Sequence, residues 1–288
     1  MVGVIICAGH STRLYPITKV LSKQLLPIYD KPLIYYPLSM LMKAGITKIA
    51  LVTNEENISL YKKLLGNGKQ LGIRIFYFID QNPQGTASSF NCAKDFIKNE
   101  KVCLVLGDNF FYGKDFETCF KKASSFKSGS VCFGYPVEDA SKFGVAYMDD
   151  DGKVLEIEEK PCNPKSNLAI TGIYFYDEKC SEFLQKVEVS KRQEYEITDL
   201  NKIYLSRNEL KLIVLSKENI WIDTGTSQTL LEASNFVFKT QSEQNIQIAC
   251  LEEIAYSKKY ISQKQLYKLY LNLQKTSYGK YLEKYLNL

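Results

Sequence analysis

Short runs of apolar, often β-branched residues alternate with longer segments along the first half of the chain. The runs have the length and composition of buried strands and cover residues 4–7, 48–54, 73–80, 101–106 and 130–137. The segments between them have the length of helices and cover residues 32–44, 57–65, 85–98 and 116–125. This alternation predicts an α/β fold in which helices cover both faces of a mostly parallel sheet.

The pattern changes from Gly144 onward. Two short strands flank a turn and predict a β-hairpin over residues 145–158. Further strands are predicted at 169–176, 210–215 and 221–223, and helices at 178–187 and 197–207. Only helical segments follow, at 228–239, 263–275 and 278–286, and no linker of distinct composition separates them from the rest.

Composition places the 288-residue chain among ordinary soluble globular proteins, with 45% hydrophobic and 24% charged residues. No apolar run approaches the ~20 residues that span a membrane, and no secretion signal is recognisable at the N-terminus. The net charge of +5 comes mostly from scattered lysines, which are typical of solvated helix faces rather than of a nucleic-acid surface. We therefore expect a cytoplasmic protein with neither membrane nor nucleic acid as a partner.

Cysteine and histidine usage narrows the chemistry. The eight cysteines are spread singly without a Cys-x-x-Cys pair, so we expect reduced thiols rather than a zinc site or disulfide framework. His10 is the single histidine, so a multi-histidine metal site is impossible and a triad mechanism could use only this residue. Carboxylates, cations and backbone groups must therefore carry the chemistry.

Polar residues follow several predicted strands at the edge where an open parallel sheet binds ligands. Gly9 lies in a small-residue turn after the first strand, and Arg13 and Lys23 follow it; prolines are expected to hold this loop extended. Neither the G-x-G-x-x-G nor the G-x-x-x-x-G-K-[ST] motif is present, and a purely structural turn would also explain Gly9. The two cations favour a triphosphate site.

Two aspartates at strand ends suggest a metal. Asp108 follows the run at 101–106, and Asp223 follows the short strand that begins at Trp221. Either carboxylate could instead serve a turn or a helix cap. Mg²⁺ prefers one or two carboxylates together with phosphate oxygens, so the pair makes metal-assisted nucleotidyl transfer plausible.

A third charged group follows the hairpin. Glu159 and Lys160 precede Pro161, which is expected to end the strand and so allow both side chains to face one cleft. Exposed surface charge is the alternative. The following segment 194–199 is typical of a helix start, with Thr198 or Asp199 as the cap.

Several long motifs, in this order, resemble the bacterial glucose-1-phosphate thymidylyltransferase family: SKQLLPIYDKP, LGDNFFYG, EEKP, TGIYFYD, EITDLN and WIDTGT. The resemblance extends from Gly3 to Leu282. It implies a Rossmann-like sheet flanked by helices, a sugar-binding β insertion, and C-terminal helices that help to form a homotetramer. The corresponding parts would be residues 1–137 for the nucleotide, 138–226 for the sugar phosphate and 227–288 for oligomerisation.

The resemblance also implies roles for individual residues. The nucleoside triphosphate would contact Ala8, Gly9, Ser11, Thr12, Arg13, Lys23, Asp80, Gln81, Gly85 and Asp108. The sugar 1-phosphate would contact Gly144, Glu159, Lys160, Gly172, Tyr174 and Arg192. Mg²⁺ would be held by Asp108 and Asp223, and catalysis would depend on Arg13, Lys23, Asp108, Lys160 and Asp223.

The implied reaction joins dTTP and glucose 1-phosphate into dTDP-glucose and releases pyrophosphate, by in-line attack of the sugar phosphate on the α-phosphorus. One alternative is the same reaction with CTP, UTP or another hexose 1-phosphate. Another is a catalytically weak regulatory protein that binds nucleotide sugars.

Two departures from the family pattern motivate these alternatives. Ala8 and Ser11 replace glycines of the family loop, and a side chain at Ser11 would cost on the order of 1 kcal/mol if φ is positive there. Asp80 replaces a glutamine that reads the thymine edge. A carboxylate would repel the thymine carbonyls and suit cytosine better, unless Gln81 turns inward instead.

Overall fold

The structure is a computed structural model that describes residues 1–286. The strands are β1 (Val2–Cys7), β2 (Pro27–Ile28), β3 (Lys31–Pro32), β4 (Lys48–Thr53), β5 (Arg74–Ile79), β6 (Val102–Leu106), β7 (Asn109–Tyr112), β8 (Ser130–Pro136), β9 (Gly144–Met148), β10 (Val154–Glu159), β11 (Leu168–Tyr176), β12 (Leu210–Val214) and β13 (Ile220–Asp223). The helices are α1 (Tyr35–Lys43), α2 (Glu55–Leu65), α3 (Thr86–Asn91), α4 (Lys94–Ile97), α5 (Lys114–Ser124), α6 (Cys180–Leu184), α7 (Ile197–Ser206), α8 (Ser227–Gln244), α9 (Leu251–Ser257), α10 (Gln263–Leu271) and α11 (Ser277–Leu282).

Nine strands form one sheet in the order β10-β9-β11-β6-β1-β4-β5, with β8 paired to β11 and β12 to β8. The strands β6, β1, β4 and β5 are parallel to one another. Antiparallel pairing of β11 with β6 joins the hairpin β9–β10 to this parallel core. The predicted α/β class with a central, mostly parallel sheet is confirmed.

Alternate residues of β1 enter two different apolar clusters. Ile5 packs with side chains of α1 and α9, whereas Val4 packs with side chains of α3, α6 and α7 on the opposite face. A strand that is buried on both faces has apolar residues at every position, which explains the continuous apolar run at the start of the chain. The helices therefore cover both faces of the sheet, as predicted.

Several boundaries differ from the predictions. The helix predicted at 85–98 is two short helices, and the one predicted at 178–187 shortens to Cys180–Leu184. The cap of α7 is Glu196, so neither Thr198 nor Asp199 caps this helix. Strand β7 and helix α9 were not predicted, because a four-residue strand and a seven-residue helix are too short for periodicity to reveal.

The C-terminal helices are joined to the hairpin β2–β3 by a buried polar group. The Lys31 ammonium donates to Gln241 Oε1 at 3.1 Å and to Gln247 Oε1 at 3.2 Å, and it pairs with Asp30. Nearby, the buried Glu252 carboxyl accepts a hydrogen bond from Tyr278 of α11. Burial raises the pKa of Glu252 and lowers that of Lys31. Within the described residues, no helix is both long and apolar enough to cross a membrane.

The raised pKa of Glu252 predicts a pH-dependent effect of Glu252→Gln. The folded state holds the proton more tightly than the unfolded chain, so native stability falls as pH rises through the window between the two pKa values. Glutamine avoids this loss and still accepts from Tyr278. We therefore expect a higher Tm for the variant at about pH 7.5 and equal Tm values near pH 4.

Thermal unfolding at both pH values measures this effect. Glu253→Gln is the control, since Glu253 lies on the same helix and accepts from Tyr281 and Tyr285. A variant Tm that is lower at neutral pH, or a gain that persists in acid, would contradict the assignment.

Candidate active site

The loop after β1 is open at Gly9 and strained at Ser11. Ala8 is fully buried in the apolar core, whereas a Cβ built on Gly9 would meet no atom of the described residues within 4 Å. Ser11 has φ 52° and ψ 37°, the left-handed conformation on which the sequence argument was conditional, at a cost of about 1 kcal/mol. Thr18 Oγ1 donates to the Ser11 carbonyl at 2.8 Å and helps to hold this conformation.

The segment from Thr12 to Leu25 is folded, and the expectation of an extended loop is wrong. It forms three short 3-10 turns, Thr12–Leu14, Ile17–Lys19 and Lys23–Leu25. These turns bring both cations back toward the sheet edge. A Cβ on Gly225 would lie 2.8 Å from an Arg13 guanidinium nitrogen, and Lys23 Nζ contacts the Asp108 carboxylate.

Lys23 and Asp108 form a largely buried ion pair, with side chains 9% and 19% exposed. Burial opposes ionisation of Asp108, but the charge and hydrogen bond of Lys23 outweigh it, and the pKa of Asp108 is lowered. The carboxylate therefore remains ionised at neutral pH.

Asp223 lies beside this pair. The Thr224 N–H and hydroxyl donate to the Asp108 carbonyl at 3.0 and 2.7 Å, which fixes the end of β13 against the end of β6. Burial, followed by the neighbouring Asp108 charge, raises the pKa of Asp223 to about 6. Its Oδ1 atom is buried and has no hydrogen-bond partner among residues 1–286.

These two aspartates fit a divalent cation. A buried carboxylate oxygen without a donor, next to a second carboxylate, is what a cation would satisfy. Within residues 1–286, no group of three acidic, histidine or cysteine side chains could hold a metal. A cation here would therefore need phosphate or water oxygens to complete its ligands, as is typical of Mg²⁺.

Asn109 is a central residue that the sequence argument missed. Its Nδ2 atom donates to Asp108 Oδ1 at 3.0 Å, and its Oδ1 atom accepts from Gly172 N at 3.2 Å and Trp221 Nε1 at 2.6 Å. A Cβ on Gly172 would lie 2.6 Å from Asn109, so only glycine fits there. Its position next to Asp108 was the only signal available.

Three of the residues predicted to bind the sugar phosphate lie around Glu159: Gly144, Lys160 and Arg192. Thr198 donates its hydroxyl to Glu159 Oε2, and a Cβ on Gly144 would lie 3.2 Å from the same oxygen. Strand β10 ends at Glu159 and Lys160 has φ 46°, which places Lys160 Nζ 3.8 Å from Glu159 Oε1. The predicted strand end before Pro161 is therefore present, and both charges belong to one group.

Arg192 faces three carboxylates. Its guanidinium lies 3.5 Å from Glu159, 3.8 Å from Glu194 and 3.2 Å from Glu196. Burial, followed by the charge of Glu159, raises the pKa of Glu196. A cavity of about 620 Å³ adjoins this group and is lined by Glu159, Arg192 and Glu196 among others.

Tyr174 is another residue predicted to line the sugar pocket. It is buried on β11, two residues beyond Gly172, and its ring stacks on Tyr176 with centroids 6.1 Å apart. Burial raises the pKa of Tyr174 well above its usual range, and the charges of Glu159 and Asp108 act in the same direction. The phenol therefore stays neutral.

Three of the residues predicted to contact the nucleotide form a separate group after β5: Asp80, Gln81 and Gly85. Asp80 is buried and turned into the protein, whereas Gln81 is exposed. Gly85 has φ 113°, and a Cβ there would lie 2.5 Å from the Tyr195 carbonyl oxygen. The structure therefore joins Arg13, Lys23, Asp108 and Asp223 to one another, but it does not direct Asp80 toward them.

The fold and the site define a class of enzyme. A parallel sheet whose strand ends carry a small-residue loop, two cations and two aspartates is the arrangement of a nucleotidyl transferase. Residues 2–240 match the family model described as Nucleotidyl transferase.

Relatives identify the family within that class. A glucose-1-phosphate thymidylyltransferase of Neisseria gonorrhoeae is 46% identical over 98% of both chains. One of Mycobacterium tuberculosis is 43% identical over the same shares. This chain therefore belongs to the glucose-1-phosphate thymidylyltransferase family.

Two solved structures are also similar to this chain. A Bacillus anthracis structure assigned to a glucose-1-phosphate thymidylyltransferase has a TM-score of 0.76 and 36% identity, covering 82% of this chain and 94% of that one. UDP-glucose pyrophosphorylase bound to UDP-glucose has a TM-score of 0.71 and 26% identity, covering 83% and 100%.

The position of Asn109 predicts that Asn109→Asp impairs the site more than the fold. Aspartate retains an acceptor for Gly172 and Trp221, but it replaces the donor to Asp108 with a like charge. We expect kcat/KM to fall by about tenfold or more, with a higher divalent-metal concentration needed for half-maximal activity. Pyrophosphate release during a metal titration measures both.

Asn91→Asp is the matched control, because the Asn91 side chain on α3 accepts an exposed hydrogen bond from Gln185, remote from Asp108 in the chain. Unchanged activity and metal dependence of Asn109→Asp would show that Asn109 does not orient Asp108.

Proposed function

We propose that this protein transfers a thymidylyl group from dTTP to glucose 1-phosphate, forming dTDP-glucose and pyrophosphate. The observation that carries the proposal is the juxtaposition of Lys23, Asp108 and Asp223 at the sheet edge. The names of the relatives supply the substrate pair.

The bond changes need no general base. A phosphate oxygen of the sugar 1-phosphate attacks the α-phosphorus in line, and the bond from that phosphorus to the bridging oxygen of the leaving pyrophosphate breaks. The nucleophile is already anionic, so a chain with one exposed histidine is sufficient. Catalysis then depends on position and charge.

The cationic loop would bind the nucleotide. Ala8, Gly9, Ser11 and Thr12 would present backbone N–H groups to the triphosphate, with Arg13 supplying charge. Lys23 lies against Asp108 at the sheet edge, where the transferred phosphate would be neutralised. Gly85 would lie under the base.

Asp108 and Asp223 would hold Mg²⁺. Their carboxylates fit the ion because Asp108 is ionised and Asp223 has a buried oxygen without a donor. When bound, the ion supplies neutralisation of the charge that builds up on the phosphate oxygens.

The second substrate would lie against Glu159 and the strand β11. Glu159 would accept hydrogen bonds from sugar hydroxyls, with Gly144, Gly172 and Tyr174 lining the pocket. Lys160 and Arg192 would bind the sugar phosphate. Arg192 lies near three carboxylates, so a phosphate bound to this guanidinium would compete with them for its N–H donors, which favours a dianionic ester over a neutral sugar.

The departures from the family pattern do not favour a purely regulatory protein. The Ala8 side chain is buried in the core, and all the charged residues proposed to bind the substrates and the metal are present. CTP, UTP and other hexose 1-phosphates remain substrates to test beside dTTP and glucose 1-phosphate.

The activity predicts the following outcome with purified protein and Mg²⁺. Pyrophosphate is released with dTTP and glucose 1-phosphate, and chelation of the metal abolishes the release. Asp108→Asn and Asp223→Asn each lower kcat/KM by about 100-fold or more, because each removes a ligand charge. Asp139→Asn is the control, since Asp139 is exposed and its side chain bonds to Ser141 and Lys142 of its own loop.

A panel that crosses four triphosphates with several hexose 1-phosphates determines the substrate pair. Absence of pyrophosphate with every pair would refute the proposed function.

We further propose a cytoplasmic homotetramer with nucleotide, sugar-phosphate and oligomerisation parts at 1–137, 138–226 and 227–288. Two exposed apolar groups support more than one subunit contact: Tyr29, Leu231 and Phe238 beside α8, and Tyr267 with Leu271 on α10. A tetramer of closed symmetry with paired faces needs two different contacts. The eight cysteines are free thiols, which fits a reducing compartment.

The homotetramer predicts a mass by light scattering of about four times the 33.0 kDa chain. Phe238→Glu combined with Leu231→Glu should lower the mass, because the charges oppose burial of the α8 face. Leu155→Glu is the control, as Leu155 is 61% exposed like Leu231 but lies on β10. A monomeric wild-type protein would refute the assembly.

A further inference from the structure

The strongest feature not used by the proposed reaction is the buried carboxylate of Asp80. Its side chain is only 4% exposed although it directly follows β5, where ligands are expected. Its Oδ2 atom accepts from Ser89 Oγ at 2.7 Å, and its Oδ1 atom accepts from Asn82 N at 3.1 Å. Both oxygens therefore already have donors from the protein itself.

Ser89 lies on helix α3, so its hydrogen bond to Asp80 links this helix to the end of β5. It is 3% exposed, and its own N–H donates to the Gly85 carbonyl at 3.1 Å. Asp80 thus joins the end of β5 to the first turn of α3 and closes the segment 81–85 between them. Without the carboxylate, the Asn82 N–H would lose its acceptor, and the Ser89 hydroxyl would keep only its longer contact with the Gly85 carbonyl, at 3.3 Å.

The other side of the same segment is held by Tyr195. The Tyr195 N–H donates to the Gln84 carbonyl at 2.7 Å, and its carbonyl accepts from Ala87 N at 3.0 Å. The close approach of Gly85 to this backbone leaves no room for a side chain. Segment 81–85 is therefore fixed between Asp80 and the loop that also carries Arg192.

We infer that Asp80 is a positioning residue, which fixes segment 81–85 through Ser89 and Asn82, and that its carboxylate does not read the base. The inference rests on the proposed function. Turning the carboxylate toward a base would break both hydrogen bonds and leave the buried Ser89 hydroxyl with only its longer contact to the Gly85 carbonyl. The Asp80 carboxylate therefore does not face the carbonyl groups of a bound thymine. The presence of aspartate where the family has glutamine does not make the protein prefer cytosine.

The test measures base preference with dTTP, dUTP and dCTP, which differ only in the base. Ser89→Ala removes the donor and leaves Asp80 in place. We expect the KM for all three nucleotides to rise together by about tenfold, with kcat and the dTTP-to-dCTP ratio of kcat/KM changed by less than about twofold. Ser88→Ala, the neighbouring serine on α3, is the control and leaves all values unchanged.

Variants of Asp80 separate the two roles. Asp80→Asn retains one acceptor oxygen and should raise KM less than Asp80→Ala. Adding Ser89→Ala to Asp80→Ala should have little further effect, because both remove the same bond. A tenfold change in the dTTP-to-dCTP ratio in Asp80→Asn, with Ser89→Ala silent, would overturn the inference and place the carboxylate at the base.

Calorimetric binding of the same three nucleotides distinguishes this inference from the proposed function. The base ratio is readable from binding even without turnover, so a base-selective change overturns only the role of Asp80. Lack of turnover by the wild-type protein overturns only the reaction. If Asp80→Ala does not fold, the comparison of Ser89→Ala with Asp80→Asn still decides between the two roles.

Discussion

A largely buried cation–carboxylate pair, Lys23 with Asp108, joins positions 85 residues apart in the chain. Either charge alone would be costly in this environment, so the loop after β1 must fold back until Lys23 reaches the end of β6. The three tight turns between Thr12 and Leu25 accomplish this, and they also bring Arg13 to Gly225. The ionised Asp108 in turn helps to keep the pKa of Asp223 raised. Two neighbouring carboxyl groups therefore have pKa values shifted in opposite directions.

Asn109 connects the two halves of the site. One amide nitrogen orients Asp108, while the amide oxygen holds Gly172 of β11 and the indole of Trp221. Strand β11 is thereby bonded to the same side chain as Asp108. On the other side, the main chain of Tyr195 joins segment 81–85 to the loop of Arg192. Two short polar connections therefore fix the distance between the proposed substrates.

Backbone strain is found in three loops of the site. Ser11, Lys160 and Gln193 have φ values of 52°, 46° and 63°, a region that non-glycine residues avoid. Such conformations persist only where surrounding contacts determine them, as Thr18 does for Ser11. Lys160 follows Glu159 and Gln193 follows Arg192 in the chain. The strained conformations therefore lie next to the two residues whose charged side chains form the ion pair.

Sequence alone determined the α/β class, the strands of the parallel core and the charged residues at their ends, because buried strands leave continuous apolar runs and parallel strands end at one edge. Motifs such as LGDNFFYG indicated the family. Only the tertiary structure decided which side chains meet. Asp80 turns inward because Ser89, nine residues on, supplies a buried donor. Asn109 becomes central because β13 and β11 arrive from distant parts of the chain. Hydrogen bonds between distant residues leave no periodicity, so no pattern along the sequence could reveal them.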